Sequence, residues 1–142
     1  MAPEVQESPT LSRGWETILL VEDEAPLRVI AREILEEHGY RVIEAAGPSE
    51  AIEIAHRHPE PIQLLVTDVV MPGMNGRALA ESLVTARPEL RVLYMSGYTD
   101  DVLAPSGVLE SGTLLLEKPF TTLALLRRVR EALGKRGTGE NA

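Results

Sequence analysis

The sequence predicts an α/β protein, a doubly wound, five-stranded parallel sheet with helices on both faces. Three observations lead there. Short runs rich in aliphatic residues recur at 17–21, 41–45, 62–68, 91–95 and 113–116. The stretches between them bring apolar residues back at helical spacing, with Gly, Pro and Asn at their ends. Strands and helices alternating at this pitch require right-handed crossovers, and therefore parallel strands covered on both sides.

The first strand is Thr17-Ile-Leu-Leu-Val21, which ends in Glu22-Asp23-Glu24. Pro26 suits the first turn of the helix that follows, and Leu27, Ile30, Ala31, Ile34 and Leu35 form its apolar stripe. Gly39 closes it. The second strand, 41–45, alternates and suits a position nearer the edge. Gly47-Pro48 opens a second helix that runs through His58 to Pro59 and Pro61.

An apolar run then reaches Asp68 and the loop Met71-Pro-Gly-Met-Asn-Gly76, where Asn75 is an N-cap for the third helix. Leu79, Leu83 and Ala86 line that helix before Pro88 ends it. The fourth strand, 91–95, leads to Ser96-Gly97. Pro105 and Gly107 interrupt the helix expected over 99–111. The fifth strand ends at Glu117-Lys118-Pro119-Phe120. Thr121 then caps a last helix with Leu126, Val129 and Leu133 inward, the run 123–126 in the core, and Arg127, Arg128 and Arg130 outward. Trp15 is expected to cover the edge of the first strand.

The 142 residues suit one domain at 16–134, with polar tails at 1–15 and 135–142. The absence of cysteine excludes disulfides and thiolate metal sites. A net charge of -8 argues against direct nucleic-acid binding, which needs a cationic surface. The first residues do not resemble a signal peptide, and no apolar run approaches the roughly 20 residues of a membrane span. The expectation is a cytoplasmic domain without membrane contact.

Every strand except the second ends in a polar group, and in a parallel sheet those ends share one edge. Glu22, Asp23, Asp68, Ser96 and Lys118 therefore meet in one crevice, where open α/β sheets bind ligands. Clustered carboxylates repel unless a cation compensates them. An oxygen-only ligand set points to a hard cation, and Mg²⁺ fits best. Lys118 and the Ser96 hydroxyl favour an anion beside it, most simply a phosphoryl group. Asp68 is the carboxylate best placed to accept one covalently.

With these residues in view, the chain resembles the receiver domains of two-component response regulators over roughly 16–134. The resemblance rests on Glu22-Asp23, Asp68 with Met71-Pro-Gly-Met-Asn-Gly76, Ser96-Gly97, and Lys118-Pro119-Phe120, in that order and each at a strand end. It implies a flavodoxin-like strand order 2-1-3-4-5. Asp68 becomes the phospho-acceptor, with Mg²⁺ held by Asp23, Asp68 and the Val70 carbonyl and by Glu22 through water. Lys118 pairs with the phosphoryl oxygens, Ser96 is the switch hydroxyl, and the Lys118–Pro119 bond is cis. The implied partner is a histidine kinase or a histidine phosphotransfer protein, and the domain is a monomer or weak dimer. The run from Tyr94 to Asp101, with Arg13-Gly-Trp-Glu-Thr17, is similar to receivers at the C-termini of hybrid sensor histidine kinases. A free-standing regulator is the other context.

Two positions depart from the family pattern. Leu115 replaces the usual aromatic three residues before the lysine, so reporting by aromatic rotation is in question. Val70 and Tyr98 flank the acceptor with apolar or bulky groups, which predicts slow self-dephosphorylation. Two other functions fit the residues less well. An aspartyl-phosphate phosphohydrolase needs a second acid two residues after its nucleophile, and Val70 stands there. A degenerate receiver acting only as a scaffold would not need Asp23, Asp68 and Lys118 together. The expectation is a signalling domain rather than an enzyme.

Overall fold

The computed structural model describes residues 14–97 and 114–134. Among these, the strands are β1 (Thr17–Val21), β2 (Arg41–Ala45), β3 (Leu64–Asp68), β4 (Arg91–Ser96) and β5 (Leu115–Glu117). The helices are α1 (Ala25–Glu37), α2 (Pro48–Arg57), α3 (Gly76–Ala86) and α4 (Thr122–Leu133). The interrupted helix expected at 99–111, Tyr98, most of the N-terminal tail and the C-terminal tail lie outside the described residues.

All strand pairs are parallel and the order is β2-β1-β3-β4-β5, as expected. Strand periodicity explains how both faces are filled. Side chains alternate across a strand, so a strand buried on both sides is apolar at every position. Ile18, Leu20, Leu64, Val66, Leu93 and Met95 face one way, into a core closed by Leu35 of α1 and by Leu125, Leu126 and Val129 of α4. Leu19, Val21, Leu65 and Tyr94 face the other way, against Ala51 and Ala55 of α2 and Leu79 and Leu83 of α3. Each fully buried leucine contributes roughly 1.5–3 kcal/mol from desolvation, so the central strands anchor the sheet edge that carries the polar groups.

The helix ends follow local chemistry. Pro26 lies in the first turn of α1, and Gly39 adopts φ 96° just after it, a conformation that glycine takes without a Cβ clash. Asn75 and Thr121 accept from the amides of Ala78 and Ala124 at 2.8 and 3.0 Å. Arg87, just past α3, donates to the carbonyls of Ala55, His58 and Glu60. It thereby ties the exposed end of α2 to α3.

Five expectations need correction. Arg130 is buried, at 6% exposure, because Glu16 and Tyr40 satisfy its guanidinium. Trp15 is 63% exposed rather than packed on β1, since it is the neighbouring Glu16 that turns inward. Ile30 and Leu123 are exposed, each on the solvent border of its helix stripe. Ala86 is exposed at the end of α3, and Ala80 takes the buried place on that helix.

Candidate functional site

The site forms where β1, β3 and β5 leave the core together. β3 is the sheet's central strand and is buried along its length, so Asp68 emerges at its end only 4% exposed. The register sets Thr67 beside Val21, and Asp68 beside Met95. Glu22 continues β1 by donating its amide to Ala45 O at 3.2 Å, which keeps its side chain at the same edge. Glu22 is 1% exposed, and its Oε2 accepts from the amide of Glu24 at 3.0 Å. Lys118 follows β5, with its own amide donating to Ser96 O at 2.9 Å.

These constraints bring four of the expected residues together. Lys118 Nζ lies 2.6 Å from Asp68 Oδ1 and 3.1 Å from Glu22 Oε1. Glu22, Asp23 and Asp68 each place a carboxylate oxygen within 4.8 Å of the others. The Lys118–Pro119 bond is cis, as expected. Ser96 is buried at the same edge, but its hydroxyl donates to Gly97 O at 3.2 Å rather than toward Asp68. Val70 is 47% exposed in the loop just beyond the acceptor strand. Leu115 sits half-buried on β5, paired with Tyr94 of β4.

The electrostatics leave this cluster one cation short. Burial above all, together with the facing Glu22, raises the Asp68 carboxyl from 3.8 to about 8 against the lowering pull of Lys118. Burial depresses the Lys118 ammonium, but Asp68 and Glu22 outweigh it and raise its pKa overall. Glu22 Oε1 is buried without a hydrogen bond, since the nearby ammonium does not approach it in hydrogen-bond geometry. Three carboxylates against one lysine, oxygen donors only, and an orphaned buried oxygen fit a small divalent cation.

Gly76 has a role that is spatial. Its amide donates to Val69 O at 2.7 Å, and a Cβ on Gly76 would overlap the Asp68 carbonyl oxygen. Two further groups near the site escaped the sequence reading. Arg28 donates to Glu22 O at 2.7 Å and to Glu44 Oε1 at 3.3 Å. No spacing rule connects positions 22, 28 and 44, because the β1–β2 register alone brings Glu44 alongside. The nearest signal was opposite charge on neighbouring elements.

A doubly wound parallel sheet with an acid-rich, lysine-bearing edge at its strand ends defines a class of phosphoryl-accepting signalling domains. The family model for the response regulator receiver domain matches residues 18–130, and the chain belongs to that family. It functions as a phosphorelay receiver, the kind of domain that works with a histidine kinase or a phosphotransfer protein.

Among its relatives, the chain is 37% identical over 131 residues to the sensor kinase CckA of Brucella abortus (strain 2308), covering 92% of this chain and 14% of the kinase. It is 32% identical over 116 residues to the response regulator receiver protein CpdR of the same organism, covering 82% of this chain and 95% of that one. The chain therefore spans a small part of one relative and nearly all of the other. Among solved structures, the receiver domain of the hybrid histidine kinase CckA superposes with a TM-score of 0.70 at 36% identity, covering 83% of this chain and 99% of that one. A response regulator receiver protein from Sinorhizobium medicae WSM419 gives 0.73 at 29%, covering 86% and 97%. Among the described residues no helix is long and apolar enough to cross a membrane.

Proposed function

We propose that Asp68 is the phospho-acceptor of this receiver and that it takes the group from a phosphohistidine partner. The observation that carries this reading is the buried Asp68 carboxylate at the end of the central strand, held by Lys118 at 2.6 Å inside an acidic cluster. A carboxylate oxygen of Asp68 bonds to phosphorus as the phosphorus–nitrogen bond to the donor imidazole breaks. The electron pair stays on the imidazole nitrogen, which takes a proton from water. Lys118 follows the transferring group, exchanging its contact with Asp68 Oδ1 for one with a phosphoryl oxygen. The Ser96 hydroxyl, released from Gly97 O, turns to the same group and shifts the end of β4.

Asp23, Asp68 and the Val70 carbonyl would hold Mg²⁺, with Glu22 acting through water. The bound ion supplies neutralising charge for the phosphoryl oxygens. Glu22 and Asp23 are otherwise a local excess of negative charge that repels the incoming anion. The domain is read as a monomer or weak dimer that binds no nucleic acid, in the cytoplasm, either free-standing or as the receiver segment of a hybrid kinase. It assists its own phosphorylation and turns over no other substrate.

Incubation with acetyl phosphate and Mg²⁺, followed by intact-mass measurement, tests the acceptor. The wild type gains one phosphoryl group and Asp68→Ala gains none; an adduct that persists in the variant overturns the assignment. Slow self-dephosphorylation, read from the apolar Val70, has its own test in the purified phosphoprotein. Val70→Asn should shed phosphate faster than the wild type, and rapid loss from the wild type would contradict it.

A further inference from the structure

We infer that Arg28 is a positioning residue for the metal-binding loop, acting through the Glu22 carbonyl and braced by Glu44; the inference rests on the metal reading above. Asp23 is exposed, and no hydrogen bond or ion pair holds its carboxylate among the described residues. Its direction is therefore set by its backbone. The Glu22 carbonyl and the Asp23 amide share one rigid peptide plane, so whatever fixes that carbonyl fixes where the Asp23 side chain starts.

Arg28 does this. From the second turn of α1 it donates Nη1 to Glu22 O at 2.7 Å. The remaining polar groups of Glu22 are already assigned: its amide to Ala45 O, its Oε2 to the Glu24 amide, its Oε1 beside Lys118. Arg28 Nη1 is the donor that holds this carbonyl, and without it the plane of the 22–23 peptide can rotate.

A long side chain positions another group only if it is itself held. The Arg28 side chain is 18% exposed, and its Nε meets Glu44 Oε1 at 3.3 Å. Glu44 Oε2 also lies 3.0 Å from Arg32 Nε, an ion pair without hydrogen-bond geometry. Glu44 belongs to β2, whose register against β1 places it beside Leu20. The brace therefore runs from the sheet through Glu44 and Arg28 to the loop. Groups of this kind behind a metal ligand typically change metal affinity by about 10–100-fold when removed.

The test is calorimetric titration of the purified chain with Mg²⁺, alongside thermal unfolding in chelator. Arg28→Met keeps the aliphatic stem and removes both contacts. It should weaken Mg²⁺ binding by about tenfold, with acetyl-phosphate labelling restored at saturating Mg²⁺. Glu44→Gln should lose less. Arg32→Met, which touches Glu44 but not Glu22, should bind Mg²⁺ like the wild type and serves as the control for a general effect on α1. Arg28→Lys, which can reach one partner but not both, covers the case in which Arg28→Met does not fold. Equal losses in Arg28→Met and Arg32→Met, or none in Arg28→Met and Arg28→Lys, overturn the inference. Asp23→Asn separates the two readings. If it leaves Mg²⁺ binding unchanged, the metal site itself is wrong and this inference falls with it. If it loses binding while the Arg28 variants do not, this inference alone falls.

Discussion

Lys118 Nζ and Asp68 Oδ1 lie 2.6 Å apart, and the same ammonium reaches Glu22, so one cation serves two buried carboxylates. Burial and Glu22 hold the Asp68 carboxyl near 8 even with that help. Replacing Lys118 with Met removes the group that lowers it, so the fraction ionised at pH 7 drops and with it the supply of nucleophile. Labelling of Lys118→Met by acetyl phosphate at pH 7 should fall by at least about tenfold, in line with the loss of a charge-assisted bond of roughly 1.5–3 kcal/mol. Raising the pH should recover part of it. Undiminished labelling at pH 7 would remove Lys118 from the chemistry.

Mg²⁺ binding should release a proton. Asp68 ligates only as the carboxylate, and in the metal-free fold its pKa is raised from 3.8 to about 8. The apparent affinity for Mg²⁺ should therefore increase with pH and level off above about 8. The sign for stability runs the opposite way. A raised folded-state pKa means that the folded protein keeps a proton that the unfolded chain has lost. In chelator, stability from this group is full below 3.8 and declines as pH rises toward 8. Titration at pH 7 in buffers of different ionisation enthalpy reads the proton directly, and Asp68→Asn should abolish its release.

Gly76 constrains Asp68 through space. Its backbone needs no positive φ, yet any Cβ there would overlap the Asp68 carbonyl oxygen and crowd Val69 Cα. The neighbour that must move is backbone at the acceptor itself. Gly76→Ala should cost about 1–3 kcal/mol as overpacking and reduce labelling of Asp68. Chemical denaturation measures the first and intact mass the second. A variant with both unchanged would mean that the loop relaxes without disturbing the acceptor.

The sheet and its working edge were legible because they depend on short-range signals. Each strand except β2 is a run rich in aliphatic residues with a polar group at its end, and Asn75 and Thr121 cap helices by bonds that span three residues. Arg130 was misread although its spacing was plain. It lies four residues after Leu126 and three before Leu133, on the buried side of α4, and its charge suggested solvent instead. Its partners, Glu16 and Tyr40, are 114 and 90 residues away in sequence, and only the folded sheet brings them near. Arg28 was missed for the same reason, since Glu44 reaches it across the β1–β2 register. What sequence periodicity cannot carry is a buried charge whose partner belongs to another element.

The Glu16–Arg130 pair should accordingly govern acid stability and the attachment of the chain before β1. Arg130 Nη2 donates to Glu16 Oε2 at 2.7 Å, Nη1 to Tyr40 Oη at 3.0 Å, and Nε to Gly134 O at 3.0 Å. Both charged residues are nearly enclosed, at 5% and 6% exposure. Burial alone would raise the Glu16 carboxyl, but bonds from Arg130 and from the backbone amides outweigh it and hold its pKa below 4.5. A depressed folded-state pKa contributes stability that is present above 4.5 and lost as pH falls through the lower folded value. Glu16→Gln removes that dependence and leaves the guanidinium without its counter-charge. Breaking one side of such a pair costs about 3–5 kcal/mol at neutral pH. Urea denaturation from pH 3 to 7 should show the wild type losing stability on the acid limb and Glu16→Gln starting lower with a flatter limb. Replacing both residues, Glu16→Leu with Arg130→Met, should recover most of the neutral-pH loss, because no orphaned charge remains. If the single variant matched the wild type at neutral pH, the pair would be no anchor for the N-terminal joint.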